Sequence, residues 1–156
     1  LQQLDEAEKH YRKAYRIRLQ VFGEEHPSVM HSMNAVGQVL ARSGDYEAAE
    51  AELRRAVEVG EKALPKDHPD LAYPLQNLAN VVAEQERYDE AIALLERTVQ
   101  LRADIDPNLL GRSEAALARV LYFTDRERAM KLFDEAAEKM DELGKSEIQQ
   151  FLEMVR

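Results

Sequence analysis

The residues best placed to do chemistry in this chain are amides, arginines and a few aromatics, and their chemistry is recognition. Asn34, Gln38, Gln76, Asn77 and Asn80 fall in neighbouring turns of two helical segments. A carboxamide donates and accepts hydrogen bonds at once, so a row of them can satisfy the backbone of an extended peptide whatever its side chains. The same residues also read as solvated polar groups on an open helix face, and the sequence leaves both readings standing. Arg42, Arg112 and Arg119 suit an acidic group, because a guanidinium holds a carboxylate through two parallel bonds. Tyr73, Tyr122 and Phe123 could anchor part of a peptide beside them.

Catalysis finds no equivalent support. There is no cysteine, hence no thiol nucleophile, disulfide framework or Cys-based zinc site. The four histidines, His10, His26, His31 and His68, contain no His-x3-His pair, and His26 and His68 sit in matching connectors where local helix-start hydrogen bonds explain them. The 30 carboxylates read as solvated helix faces, and the six glycines are too dispersed for a phosphate-cradling loop. No G-x-S-x-G elbow is present. The expectation is no catalytic residue, no metal ligand and no cofactor.

Composition narrows the partner. With 45% hydrophobic and 33% charged residues the chain reads as one soluble globular domain. A net charge of -9 disfavours nucleic acid and anionic membrane surfaces, both of which call for clustered Lys and Arg. No apolar run approaches the roughly 18 residues of a membrane span. The opening LQQLDEAEKHYRK is polar and helical in pattern, unlike a signal peptide. A cytoplasmic setting is expected, and the absence of an initiator Met at Leu1 suggests a piece of a longer protein.

The elements that must position these groups are helices. Apolar and small residues recur at helical spacing over 4–21, 27–42, 46–62, 69–85, 88–103, 108–123 and 126–143, with a short eighth segment at 146–154. Nothing alternates with period two, so no strand is expected. Pro27 and Pro69 stand at helix starts, and Gly44 ends one helix at a residue that tolerates a left-handed conformation. Gly144-Lys145-Ser146 is read as closing the seventh helix, with Ser146 capping the eighth. Pro74 either distorts its helix near Tyr73 or is absorbed in the first turn.

These helices repeat every 42 residues. His26-Pro27 returns as His68-Pro69, Tyr46 as Tyr88, Ala49 as Ala91, Leu53 as Leu95 and Val57 as Val99, while Ala7, Arg12 and Ala14 map onto Ala49, Arg54 and Ala56. A period of this length marks stacked supersecondary units, each unable to bury its apolar face alone. Within the units the order is Met33-x2-Val36-Gly37-x2-Leu40 then Ala49-x3-Leu53, Leu75-x2-Leu78-Ala79-x2-Val82 then Ala91-x3-Leu95, and Glu114-x2-Leu117-Ala118-x2-Leu121 then Ala129-x3-Phe133. This resembles the tetratricopeptide repeat, in the long form found in kinesin light chains and their bacterial relatives, with units at 27–62, 69–103 and 108–143 and an orphan second helix at 4–21. Three departures occur in the last unit. Its connector is short, its internal turn is one residue shorter, and Glu114 stands where a large apolar residue is expected, which predicts looser packing.

The resemblance implies an all-α, right-handed superhelix of about three and a half hairpins closed by a short capping helix. It also implies a concave face lined by the first helix of each pair: His31, Asn34, Gln38 and Arg42; Tyr73, Gln76, Asn77, Asn80 and Glu84; Arg112, Ala115, Arg119, Tyr122 and Phe123. In kinesin-like repeats, asparagines matching Asn77 and Asn80 hold the peptide backbone. A strict carboxylate clamp is not expected, because Asn34, Gln76 and Ala115 occupy the place of its lysine. The segments around His68–Leu75, Ala83–Ala91 and Arg112–Arg119 resemble repeats that follow the kinase domain in bacterial, myxobacterial-type serine/threonine kinases. The leading expectation is therefore a non-enzymatic module that binds a protein or extended peptide. The alternative is self-association through 4–21, whose Leu4, Tyr11 and Tyr15 offer an uncovered apolar face.

Overall fold

The computed structural model describes residues 2–155, which form eight α-helices, with no strand among the described residues. They are α1 (Gln2–Phe22), α2 (Pro27–Ser43), α3 (Tyr46–Ala63), α4 (Ala72–Glu84), α5 (Tyr88–Arg102), α6 (Pro107–Leu121), α7 (Arg126–Lys139) and α8 (Glu142–Met154), with a 3₁₀ turn at Pro69–Leu71 ahead of α4. Adjacent helices pack as a superhelical repeat in which α2/α3, α4/α5 and α6/α7 are hairpins.

The starts follow from capping. His26 Nδ1 accepts from the Ser28 amide at 3.1 Å, and His68 Nδ1 from the Asp70 amide at 3.2 Å, so the repeated histidines serve as caps ahead of Pro27 and Pro69. Asp45, Asp106, Asp125 and Asp141 cap α3, α6, α7 and α8 through their carboxylates. Because Pro69–Leu71 is a separate 3₁₀ turn, α4 begins at Ala72 and Pro74 lies in its first turn. The missing N–H there belongs to the set that has no intrahelical acceptor, so the helix takes the proline without a kink.

The end of the chain departs from the sequence reading. α7 stops at Lys139, and Asp141 Oδ1 accepts from Gly144 N at 2.9 Å to start α8, four residues ahead of the expected 146. Gly144 is therefore inside the first turn of α8. Its role is close approach, since an added Cβ would lie 2.2 Å from Met140 Cε.

Packing inside a hairpin depends on small residues. A Cβ on Gly37 would sit 2.5 Å from Leu53 Cγ, so α2 lies directly over Leu53. Ala49, Leu53 and Ala56 are fully buried, as are Ala91, Leu95 and Thr98 in α5 and Ala129, Phe133 and Ala136 in α7. Glu114 is buried, and both of its oxygens accept from Lys139 Nζ, at 2.9 and 2.8 Å. The position expected to pack loosely is thus filled by an ion pair joining α6 to the end of α7.

Two junctions between units share a polar staple. Arg18 donates to Ser32 Oγ at 2.6 Å, and Arg102 donates to Ser113 Oγ at 2.7 Å. Ser32 and Ser113 stand five residues before Gly37 and Ala118; at the middle junction that place belongs to Pro74, and the arginine's place belongs to Gly60. Where the hydroxyl is absent the guanidinium is absent too. Outer helices are also laced by ion pairs between units: Arg12 with Glu52, Arg54 with Glu90, Arg97 with Glu61, and Arg128 with Glu96.

Candidate functional site

Helices α2, α4 and α6 line the inner face, and α8 adds a fourth wall beside α6. The amides there fall into two groups. Asn77 Nδ2 donates to Asn34 Oδ1 at 2.8 Å, and Gln76 Oε1 accepts from Arg102 at 2.6 Å and from Ser113 Oγ at 3.2 Å. These amides tie helices together, and all three are half-buried. Gln38 and Asn80 are exposed and have no hydrogen-bond partner among the described residues.

Asn80 holds the central place. It borders a cavity of about 400 Å³ with Tyr11, Gln38, Arg42 and Asn77, and one of about 160 Å³ with Gln76, Arg112, Arg119 and Glu147. It also borders a third, of about 540 Å³, with Glu84, Tyr88, Phe123, Phe151 and Met154. An exposed carboxamide between three adjoining hollows can pair with both a carbonyl and an amide of one bound backbone.

The cations differ in the same way. Arg42 and Arg119 are exposed and form no ion pair among the described residues, although Arg119 lies over the Phe151 ring at 5.4 Å. Arg112 is engaged, 3.6 Å from Asp141 and 3.5 Å from Glu147. His31 Nε2 lies 3.5 Å from Asp70 at the opposite edge. Tyr73 is exposed and carries the Arg102 guanidinium 5.1 Å above its ring, while Ala115 is buried. Tyr122 is half-buried; its hydroxyl donates to the Val155 carbonyl at 3.4 Å and its ring meets Phe151 edge-on. Phe123 is exposed and stacked on Tyr88.

The sequence expects a capping helix at 146–154 but places neither that helix nor Arg102 beside the inner face. Arg102 is 6% exposed, and burial pushes its guanidinium below the usual arginine value. Its nearest signal was the recurrence of Arg18 and Ser32 as Arg102 and Ser113. The spacing of Gly144, Ile148 and Phe151 was the signal for α8, because it marks one buried stripe against Phe133, Ala136 and Met140. No group of three or more His, Cys, Asp or Glu residues is placed to hold a metal ion among the described residues. No helix among them is long and apolar enough to cross a membrane.

Solved structures share this architecture. BtubC (BKLC) from P. vanneervenii superposes with a TM-score of 0.80 at 22% identity, over 88% of this chain and 56% of that one, so the chain spans little more than half its length. A putative kinesin light chain with nearly identical TPR-like repeats from Podosopora anserina superposes with a TM-score of 0.75 at 21% identity, covering 99% of this chain and 86% of that one. At these identities the likeness is one of fold. No curated protein matches the chain. The tetratricopeptide repeat profile matches residues 1–62 and 38–104, two overlapping stretches that together take in two thirds of the chain. Such repeats are non-catalytic modules of protein–protein interaction, and with its hairpins registered as described the chain belongs to the tetratricopeptide repeat family.

Proposed function

We propose that the inner face binds an extended segment of a partner protein, with the Asn80 carboxamide as the central backbone contact. The observation that carries this reading is the contrast among the amides. Asn34, Asn77 and Gln76 are spent on the protein itself, whereas the Asn80 side chain is exposed, unpaired among the described residues and common to three cavities. Arg42 and Arg119 flank it, so acidic side chains of the bound segment have two guanidinium groups to meet. Tyr73 and Phe123 supply aromatic surface at the ends. A cytoplasmic, regulatory setting within a longer signalling protein belongs to the same proposal and rests on the resemblance to kinase-linked repeats.

The test is selection of binders from a random peptide library, followed by fluorescence anisotropy of the recovered peptides against variants. Asn80→Ala removes about 1–2 kcal/mol of backbone hydrogen bonding, a weakening of roughly 5- to 30-fold. Arg97→Ala, on the outer helices, leaves affinity unchanged. Peptides that ignore Asn80→Ala and lose affinity with Arg97→Ala would place the site elsewhere and overturn the reading.

A further inference from the structure

The repeat register sets two rows of side chains along the groove at Asn80. Gln38 of α2 returns as Asn80 of α4 and as Arg119 of α6, and one helical turn on Arg42 returns as Glu84 and as Phe123. All six are exposed. Asn80 and Glu84 are exposed with α2 on one side of their helix and α6 on the other, and Arg119 with α4 and α8 on its two sides. Neighbouring helices on both flanks leave these rows open to the groove. α1 is different: Tyr15, expected on its uncovered face, packs with Leu19 against the core around Val29, and Leu4 is half-buried.

Along the second row, one place in three hairpins holds a cation, a carboxylate and an aromatic ring. Between α4 and α6 that row borders the hollow of about 540 Å³. Phe123 is fixed there. Its ring stacks on Tyr88 with centroids 5.6 Å apart and meets Tyr122 edge-on at 5.8 Å, yet the residue is 58% exposed. A ring already held on two sides loses little freedom when an apolar group settles on it.

Charge in the hollow is unbalanced. Glu84 and Glu86 both border it and form no ion pair among the described residues. Arg87, next in the chain, is committed to Glu50 and Glu90, and Arg119, on the α6 wall, lies over the Phe151 ring at 5.4 Å. Glu86 stands at φ 60°, where the preceding hairpin has Gly44, so a charged side chain is kept in a conformation that glycine holds without strain. A wholly acidic segment would set like charge against both glutamates. A Lys or Arg meets them instead, and can lay its apolar stem along an aromatic face.

We infer that the segment bound in the groove places a basic side chain beside Glu84 and Glu86 and a bulky apolar one on Phe123. This rests on the inner-face reading and adds a second charge sign to the bound segment. Packed helices lie about 8–10 Å apart and an extended chain advances about 3.3 Å per residue, so the basic and apolar residues stand about three apart.

Selection from a random peptide library against the 156-residue chain, with fluorescence anisotropy of the recovered peptides, tests this. The wild type should enrich Lys or Arg about three residues from a bulky apolar residue. Selection against the Glu84→Lys, Glu86→Lys double variant should exchange that basic residue for Asp or Glu, a reversal that loss of the fold could not produce. Phe123→Ala should weaken the wild-type peptides by roughly tenfold while helical circular dichroism is unchanged. Peptides that lose affinity with Asn80→Ala but carry no basic residue, or that bind the double variant as tightly as the wild type, would overturn the pairing and leave the inner-face reading standing. A library that returns no binder, or binders indifferent to Asn80→Ala and weakened by Arg97→Ala, would overturn both.

Discussion

Asn77 donates to Asn34 across the inner face, 2.8 Å from nitrogen to oxygen, and so joins α4 to α2. Its neighbour one helical turn on, Asn80, touches no polar partner among the described residues. Of two asparagines three residues apart, one is therefore spent on holding the superhelix and the other is left for the ligand contact proposed above. Thermal unfolding of the single and double variants should report a coupling of about 0.5–1.5 kcal/mol between Asn34 and Asn77. Asn80→Ala should leave the unfolding temperature in place.

Glu86 adopts φ 60°, the left-handed region, one repeat after Gly44 at φ 85°. The two residues end equivalent inner helices, yet one has a Cβ and the other does not. Glu86→Gly should stabilise the chain by up to about 1 kcal/mol, the relief of strain being partly offset by the greater freedom of glycine in the unfolded chain. Chemical denaturation midpoints, compared with Gly44→Ala as the destabilising counterpart, check the sign.

The buried guanidinium of Arg102 depends on Gln76 and Ser113 as acceptors. Ser113→Ala should cost about 1.5–3 kcal/mol, because a charged donor loses a partner inside the fold. In an Arg102→Met background the same substitution should cost far less, since the charge that needed the hydroxyl is gone. A double-mutant cycle by urea denaturation measures the difference.

Acid should unfold the chain in part through the outer helices. Hydrogen bonding from Arg54 holds the Glu90 carboxyl below its ordinary value of 4.5. For Glu50, burial acts to raise the value, but the hydrogen bonds from Gln85, Arg54 and Arg87 outweigh it and the net shift is downward. A carboxyl depressed in the folded state contributes stability that is complete above its unfolded value and lost as pH falls through the folded one. Unfolding free energy should therefore drop as pH decreases below about 4.5. The drop should be shallower in Glu50→Gln and Glu90→Gln and in high salt, which can be followed by thermal melts across an acid series.

Much of the fold was legible because small and large residues recur in register: Gly37 with Leu53 and Ala79 with Leu95 announce a helix pair before any coordinate is known. The C-terminal boundary was less legible. A glycine near a helix end serves equally as a left-handed cap or as a close-contact residue, and only the position of Met140 shows that Gly144 is the second. The inner-face amides were legible as a set and not as individuals. Which of them spend their hydrogen bonds on the protein depends on distances between helices, and sequence spacing holds no such information. Arg102 escaped for a similar reason: it sits on an outer helix, and the length of its side chain carries the charge to Gln76 on the inner one.

The outer ion pairs give the array a mechanical character. Arg12–Glu52, Arg54–Glu90, Arg97–Glu61 and Arg128–Glu96 each bridge successive outer helices through long side chains that remain partly in water. Such contacts are soft and weaken as salt screens them. The opposite side has a shorter tie, Asn34–Asn77, which joins α2 to α4. Ties of unequal stiffness on the two sides mean that raising the salt should loosen the outer helices before the inner ones.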